Sequence, residues 1–420
     1  MLNIYKINDS KFKSIYLSCN FIMPVNRNQN SENALLGSVL GKACKQYPTQ
    51  AEIEKYLYGL YGTDFNVNIE KLGDLYNIEF KVQFVHKDFL PDKQDVSDKV
   101  IEFLYQVIYA PYLVNGVFDS TIVEREKKVI LNKIMERKDD KLRYSVQRME
   151  QLLCPNEAFG MDLYGEEEII NAITPERLYQ RYLEVIQGSC VTFLLSGDLE
   201  KYEDLEDKLK KKFEPKLENH LKLDEMIYDD VKREMKNKIE EEKEIQDTVQ
   251  SVLSIGAVIE NYQVQDYYAL NVYNTILGGT PSSKLFQNVR EKESLAYTVR
   301  SRYYRFKPIL IIFSGIMQEN YEKAKNLILE QMQDMKKGNI SHIEFSSAKE
   351  SLVADLLEWN DSKIALAKMQ LSNVLAFQSE EVTLDQMIEQ IKKVTLEDVI
   401  RVANKVHVEK VFLLGGNENV

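Results

Sequence analysis

The chain has 420 residues, of which 44% are hydrophobic, and a formal net charge of −12 at pH 7. This length predicts two to four domains with sizeable cores, and the acidity argues against a nucleic-acid or anionic-membrane partner. The four cysteines form no C-x-x-C pair, so we expect reduced core thiols. Because the sequence contains neither a signal-peptide pattern nor an apolar run of about 18 residues, we expect a soluble, cytoplasmic protein.

The first half of the chain predicts two half-buried strands separated by helices. Apolar and polar residues alternate over 15–21 and 76–84, which is typical of strands. Thr49 is the predicted cap of a helix that ends at Gly62, and Thr174 with Pro175 predicts the start of another helix. The polar segment 26–33 is predicted as a loop. Further helices are predicted at 34–44, 95–109, 119–137 and from about 144, and a buried strand at 190–195.

The second half repeats this order. A strand is predicted at 249–259, followed by a helix and by a continuous apolar run that indicates a strand buried on both faces. Thr395 is the predicted cap of a late helix, and a closing strand follows it. The corresponding ranges are 309–313 for the apolar run, 321–337 and 343–377 for two long helices, and 411–414 for the closing strand.

Landmarks occur in the same order in both halves, which predicts a duplicated α+β domain. The segment ITPERLYQRY from Ile173 is matched by VTLEDVIRVA from Val394. We predict one domain over 1–212 and a second over 247–420. The charge-rich segment between them, 213–246, is predicted to be a solvated hinge linker.

The segment 278–300 contains the most informative motif of the chain. Gly278 and Gly279 break the chain, Thr280 can cap the following helix, and Pro281 fits its first position. An apolar stripe then predicts a helix that Arg290 closes. The next residues alternate as a strand should, with one face formed by Leu295, Tyr297 and Val299.

This segment resembles the inverzincin peptidases, which include pitrilysin, insulin-degrading enzyme and mitochondrial processing peptidase. The matching residues are Gly279, Ser282 or Ser283, Leu285, Phe286, Val289, Arg290, Glu291, Leu295, Ala296 and Tyr297. In that family, an arginine and a tyrosine seven positions later hold the substrate backbone near zinc. The resemblance therefore implies this role for Arg290 and Tyr297. It also implies a mitochondrial processing peptidase-like fold of two domains, each a mostly antiparallel sheet covered by helices.

The residues that bind zinc in that family do not occur here. Inverzincins carry H-x-x-E-H on the first helix, where two histidines bind zinc and the glutamate activates water. Counting back from the family glycine, Gly62, places this motif on 36–40, which reads Leu-Gly-Ser-Val-Leu. Lys133 occupies the position of the later glutamate ligand, where a cation would oppose a metal.

Three other groups of polar residues are candidates for site residues. No histidine has another histidine within metal-ligand spacing, and surface or loop positions are expected for His86, His220, His342 and His407. Glu126 matches a family position near zinc, but an exposed helix face is the favoured interpretation. Asn66 matches a family position where the backbone lies near substrate, and it is interpreted as a structural turn residue. We therefore predict no metal or cofactor in this chain.

The presence of Arg290 and Tyr297 together with the absence of the zinc ligands implies, by the family resemblance, a noncatalytic subunit of a heteromeric zinc metallopeptidase. Several bacterial inverzincins work as pairs in which one chain carries zinc and its partner supplies the arginine and tyrosine. The expected partners are a zinc-bearing homologous subunit and a peptide substrate, with no cleavage by this chain alone. The chain looks most like the Gram-positive peptidase-like group linked to elongation factor P modification. A second similar group pairs with peptidases that trim ribosomally made peptide antibiotics.

Other interpretations stay open at this point. Spacing alone favours an ordinary solvated helix end for Arg290 and a core aromatic for Tyr297; the surrounding motif is what favours a functional role. A scaffold protein of the same fold would have no role in cleavage. An independent metallopeptidase is disfavoured by the missing ligands. The substrate, the identity of the partner and self-association of the isolated chain as a homodimer are not determined by the sequence.

Overall fold

The computed structural model describes residues 2–217, 220–222, 238–377 and 382–416, and it divides into two compact units. Unit 1 comprises Met1–Met135, Met161–Ile227 and Trp359–Glu381. Unit 2 comprises Glu136–Gly160, Tyr228–Glu358 and Val382–Val420. In the described part of the chain, no helix is both long and apolar enough to cross a membrane.

Unit 1 is built on a five-stranded sheet. Its strands are β1 (Asn3–Asn8), β2 (Ser14–Pro24), β3 (Asp64–Leu72), β4 (Leu75–Val85) and β7 (Cys190–Gly197), with a small hairpin of β5 (Leu113–Val114) and β6 (Val117–Phe118). Its helices are α1 (Arg27–Leu40), α2 (Gln50–Gly59), α3 (Ser97–Tyr109), α4 (Ser120–Asp139), α6 (Glu167–Ala172), α7 (Pro175–Gly188), α8 (Leu205–Phe213) and α12 (Lys363–Phe377). Helix α4 ends beyond the formal boundary of the unit at Met135.

The order of strands in this sheet is β1-β7-β2-β4-β3, which places β3 at one edge. Only the β1–β7 pair is parallel among these neighbours. Strand β2 is buried along almost its whole length and on both faces. Helix α1 contacts β3 and β4, and α12 contacts β7 and β1. The half-buried strand that alternation predicts at 15–21 is therefore a longer, fully buried central strand.

Unit 2 repeats the arrangement with a second five-stranded sheet. Its strands are β8 (Glu240–Ile245), β9 (Ser251–Ile259), β10 (Ala296–Tyr303), β11 (Ile309–Ile316) and β12 (Val406–Gly415), in the order β10-β11-β9-β12-β8. Its helices are α5 (Lys141–Leu153), α9 (Tyr267–Asn274), α10 (Tyr321–Lys337), α11 (His342–Asn360), α13 (Leu384–Lys393) and α14 (Leu396–Lys405). Two π-helical segments, Thr275–Gly279 and Phe286–Lys292, follow α9.

Each unit contains one helix from the opposite half of the chain. Helix α5 packs against β9, β11 and β12, where Met149 and Leu153 join the core of unit 2. Gly256 permits this packing, because a β-carbon there would lie 2.4 Å from the sulfur of Met149. Helix α12 belongs to unit 1 in the same way. The mostly antiparallel α+β architecture is as predicted, whereas the units do not follow simple halves of the sequence.

The predicted linker, 213–246, is partly structured. Residues 240–245 form β8, which pairs in parallel with β12, so this part is a strand and not a linker, although most of its residues are exposed as expected. Its glutamates are matched by groups on neighbouring elements. Lys410 forms ion pairs with Glu240 and Glu242, and Tyr321 and Lys325 bind Glu241. The central part of the predicted linker, 223–237, lies outside the described residues.

The predicted caps Thr49 and Thr395 are confirmed, whereas several helix boundaries differ from the prediction. Thr49 forms a capping box with Glu52, and Thr395 forms one with Asp398. The polar segment 26–33 is largely helical and not a loop, because its side chains bind α7: Glu32 pairs with Arg177 at 2.6 Å. The predicted helix 343–377 is two helices, since the chain turns after Asn360 and Ser362 accepts a hydrogen bond from the backbone of α12.

Candidate functional site

Unit 1 contains a cavity of about 560 Å³ between α1, the edge strand β3 and α4. The part of α1 that lines it consists of the small residues Ala34, Gly37 and Ser38, followed by Gly41 directly after the helix. Residues Phe65 to Glu70 of β3 form another wall, and Val129, Ile130 and Lys133 of α4 form a third. The cavity exists because the helix presents almost no side-chain volume toward the strand.

This cavity corrects the predicted position of the lost metal motif. Leu36, Val39 and Leu40 are buried and do not line the cavity, so the window 36–40 is wrong. The spacing of H-x-x-E-H is i, i+3, i+4, and the cavity-lining residues with that spacing are Ala34, Gly37 and Ser38. The correction shifts the motif by two residues. It leaves the chemical conclusion unchanged, since neither alanine nor glycine offers a side-chain ligand or a general base.

The glycines of α1 allow a close approach to β3. A β-carbon on Gly37 would lie 2.6 Å from Cγ2 of Ile69, and one on Gly41 would lie 3.2 Å from Cγ2 of Val67. Atoms separated by the first of these distances overlap strongly, so the helix would have to move. The small residues are therefore a packing requirement as well as an absence of ligands.

Glu126 lies beneath the cavity, and the expectation of an exposed helix face is wrong. The residue is 2% exposed. Its carboxylate accepts a hydrogen bond of 2.6 Å from the Ser38 hydroxyl and one of 2.9 Å from Nε of Arg125. These partners offset the cost of burying the charge. The sequence did not reveal the contact, because Ser38 and Glu126 are far apart in the chain.

The cavity is lined by three lysines and one glutamate. Lys368 of α12 lies 3.2 Å from Glu70 and 3.5 Å from the buried Glu79. The ammonium of Lys133 lies 5.5 Å from the ring centroid of Tyr164. Lys133 therefore does line the cavity where the family resemblance places a metal ligand. Nothing local in the sequence marks Lys42 and Lys368 as cavity residues.

Glu79 belongs to a polar network on the sheet. Tyr16 donates a hydrogen bond of 2.5 Å to this carboxylate, and Asn68 donates one of 3.0 Å. Burial, followed by the nearby charge of Glu79, raises the pKa of Tyr16 well above its ordinary value. Desolvation lowers the pKa of the Lys368 ammonium, but the attraction of Glu70 and Glu79 outweighs it, so the pKa is raised.

Asn66 lies within β3 and not in a turn. It is exposed and lines the cavity. His86 lies in the loop directly after β4, one of the two positions expected for it, but its side chain is fully buried. Its Nδ1 accepts a hydrogen bond of 3.1 Å from the backbone of Asp88. Among the described residues, no group of three or more His, Cys, Asp or Glu side chains is placed to hold a metal ion.

Arg290 and Tyr297 both belong to unit 2. Arg290 lies in the last turn of the π-helical segment Phe286–Lys292, and its side chain is 41% exposed. The guanidinium stacks on Phe286, with Cζ 4.5 Å from the ring centroid. Thr280 and Pro281 do not begin this helix as predicted. They lie in a turn before it, with the Thr280 and Ser282 hydroxyls 3.0 Å apart.

Tyr297 lies on the edge strand β10 and is 62% exposed, which excludes a core role. The predicted face of Leu295, Tyr297 and Val299 is wrong, because Val299 is buried while Tyr297 is not. A bulge between Ala296 and Thr298 changes the phase of the alternation at this point. Bulges commonly redirect a side chain beside a functional site.

Backbone interactions order the chain between Arg290 and Tyr297. The amide of Leu295 donates a hydrogen bond of 3.0 Å to the carbonyl of Val289. Ser294 adopts a left-handed conformation with φ of 52°. These features hold the ends of helix and strand together, so both side chains emerge from one short, ordered connection. An arginine and a phenol presented in this way can donate hydrogen bonds to carbonyl oxygens.

Comparison with known proteins gives one family. Residues 172–352 match the model described as the peptidase M16 inactive domain. The chain is 32% identical over 392 residues to the probable inactive metalloprotease YmfF of Bacillus subtilis, covering 93% of this chain and 90% of that protein.

Solved structures share the fold over the whole length. A conserved protein from Enterococcus faecalis V583 is 25% identical, with a TM-score of 0.90 over 99% of this chain and 97% of that one. A structure from Pseudomonas fluorescens, described as a peptidase M16 inactive domain, is 17% identical, with a TM-score of 0.78 over 99% and 96% of the two chains. The latter likeness concerns the fold alone.

Proposed function

Because this chain belongs to the M16 peptidase family as an inactive, peptidase-like member, we propose that it is the noncatalytic subunit of a heteromeric zinc metallopeptidase. Its partner is a homologous subunit that carries H-x-x-E-H and holds the zinc, which supplies the activated water. Peptide is bound in a space that both subunits contribute to. This chain supplies Arg290 and Tyr297 and has no activity alone.

One observation carries the proposal. The arginine and tyrosine of the family motif are retained and exposed in unit 2, while the α1 positions with metal-ligand spacing in unit 1 are alanine, glycine and serine. An independent peptidase needs both sets of groups. A subunit that works beside a zinc-bearing relative needs only the first.

The proposed roles follow from the chemistry of the two side chains. The guanidinium of Arg290 is planar and can donate two parallel hydrogen bonds, so it binds carbonyl oxygens of an extended peptide backbone. The phenol of Tyr297 donates one hydrogen bond to the oxyanion or to a neighbouring carbonyl. The peptide itself adds as a strand to a sheet edge in the partner, which makes binding depend little on sequence.

Reconstitution tests this proposal. The protein that copurifies with this chain from the native host is identified, and each chain is purified separately. We expect cleavage of a quenched-fluorescence peptide only when the two chains are mixed, with stoichiometric zinc in the partner. Stoichiometric zinc or cleavage in this chain alone would support the independent-peptidase alternative.

A copurifying complex without peptidase activity would favour the scaffold alternative instead.

The cytoplasmic location also stays a prediction. Two further associations stay predictions: one with elongation factor P modification and, alternatively, one with peptide-antibiotic maturation. The identity of the copurified partner distinguishes these two.

A further inference from the structure

The cavity of unit 1 carries more positive charge than its own residues neutralise. Its lining includes Lys42, Lys133 and Lys368, against the single carboxylate of Glu70. Lys368 is the lysine that Glu70 and Glu79 neutralise. Within the described residues, neither Lys42 nor Lys133 forms an ion pair with a carboxylate. This charge is unusual in a chain whose formal net charge is −12.

The buried carboxylate of Glu126 on α4 already has its own partners. Glu126 lies two turns before Lys133, and its carboxylate is held by Ser38 and Arg125. The charge of Glu126 is therefore buried and is offset by these two hydrogen-bond partners. The ammonium of Lys133 instead extends toward the ring of Tyr164, which also lines the cavity.

The cavity wall formed by β3 supplies a surface for an extended chain. Strand β3 pairs only with β4 within the described sheet, so its other edge has backbone donors and acceptors that a further strand can use. Six consecutive residues of β3, from Phe65 to Glu70, line the cavity. A volume of about 560 Å³ lies within the usual range of ligand sites.

We infer that this cavity binds a carboxylate of an extended peptide, with Lys133 and Lys42 as the cationic groups that recognise it. A lysine ammonium provides a point charge with three donors, which suits a carboxylate, and both lysines line the same cavity. The peptide lies along β3, and its anionic group enters the cavity. The carboxylate belongs either to an Asp or Glu side chain or to the peptide C-terminus. This site goes beyond the proposed role of Arg290 and Tyr297 and requires no zinc-bearing partner.

The test uses the purified full-length chain and fluorescence anisotropy. The probe is a labelled peptide of nine residues, the length of β3, made with Glu or Gln at its centre and with a free or amidated C-terminus. We expect a carboxylate-bearing version to bind about tenfold more tightly than the fully neutral one, with the preference weakening as salt is added. Preference for central Glu identifies a side-chain carboxylate, and preference for the free C-terminus identifies the terminal one.

Matched variants assign the effect to the cavity. Lys133→Ala and Lys42→Ala should each remove most of the preference for the carboxylate while leaving binding of the neutral peptide unchanged. Lys128→Ala is the control, because Lys128 is exposed on α4 and does not line the cavity. Equal binding of all four peptides, or equal effects of the Lys133 and Lys128 substitutions, would overturn the inference. Because no partner is present, this outcome is independent of the reconstitution experiment.

Discussion

Single residues on α1 explain why the metal site cannot be recovered by one substitution. Gly37 lies where the helix contacts the edge strand, and Ile69 occupies the space that any larger side chain would need. Ser38 is engaged by Glu126 through a hydrogen bond of 2.6 Å. The small residues of this region therefore serve its packing, so a metal site would need more than new ligands.

Gly37→His should destabilise unit 1 and should not create a metal site. The new β-carbon would overlap Ile69, and overpacking of this kind costs about 1–3 kcal/mol. Urea unfolding followed by circular dichroism measures the change. Gly59→Ala is the matched control, because a β-carbon there has nothing within 4 Å and Gly59 ends α2. An unchanged unfolding midpoint for Gly37→His would show that α1 can move away from β3 at little cost.

At this scale the family resemblance drew attention to Lys133, which lines the cavity, whereas the expectation for Glu126 was wrong. The burial of Glu126 depends on Ser38, a partner from another helix, so a helical pattern of exposed charges gives no sign of it. The same reason explains why Lys368, which comes from α12, was not recognised as a cavity residue.

Secondary-structure elements were predicted where local chemistry decides them. Threonine caps place the starts of α2, α7 and α14 correctly, because the cap depends only on the next three residues. Strand β8 was missed, since its glutamates resemble a solvated segment until Lys410 and Lys325 neutralise them. The shared face of Leu295, Tyr297 and Val299 was predicted wrongly because a bulge has no reliable signature in the sequence.

The start of α9 depends on a buried ion cluster that links it to α14. Asp266 is 1% exposed and lies 2.5 Å from Arg401 and 2.6 Å from Lys405. Asp266→Asn should lower the free energy of unfolding at pH 7 by about 1–3 kcal/mol, because charge-assisted hydrogen bonds are lost. Asp385→Asn, at an exposed position in the first turn of α13, is the control.

The contribution of Asp266 to the free energy of unfolding should depend on pH. Desolvation raises the pKa of Asp266, but the hydrogen bonds from Lys405 and Arg401 outweigh it and hold the pKa below the ordinary value of 3.8. A depressed folded-state pKa stabilises the fold above pH 3.8, and this stabilisation is lost as the pH falls through the folded-state value. The difference in unfolding free energy between the wild type and Asp266→Asn should narrow below pH 3.8. A difference that stays constant down to pH 3 would contradict the assignment.

At the scale of the whole molecule, the sequence reveals the duplication but not the exchange of helices. The predicted strands and their order correspond to two sheets of the same design, because the buried apolar runs are local features. Helices α5 and α12 each pack on the sheet of the opposite half, which involves contacts between residues distant in sequence. Their amphipathic patterns show that a face is buried, without specifying against which sheet.

The central claim is that this chain contributes chemistry to a partner, and turnover of the Arg290→Ala complex tests it most directly. Removing one donor of this kind typically lowers the rate by about 100- to 1,000-fold. We predict such a loss in kcat for the reconstituted pair, with the complex intact by size-exclusion chromatography. The control is Arg300→Ala, an exposed arginine on β10. Turnover equal to that of the Arg300→Ala complex would contradict the account.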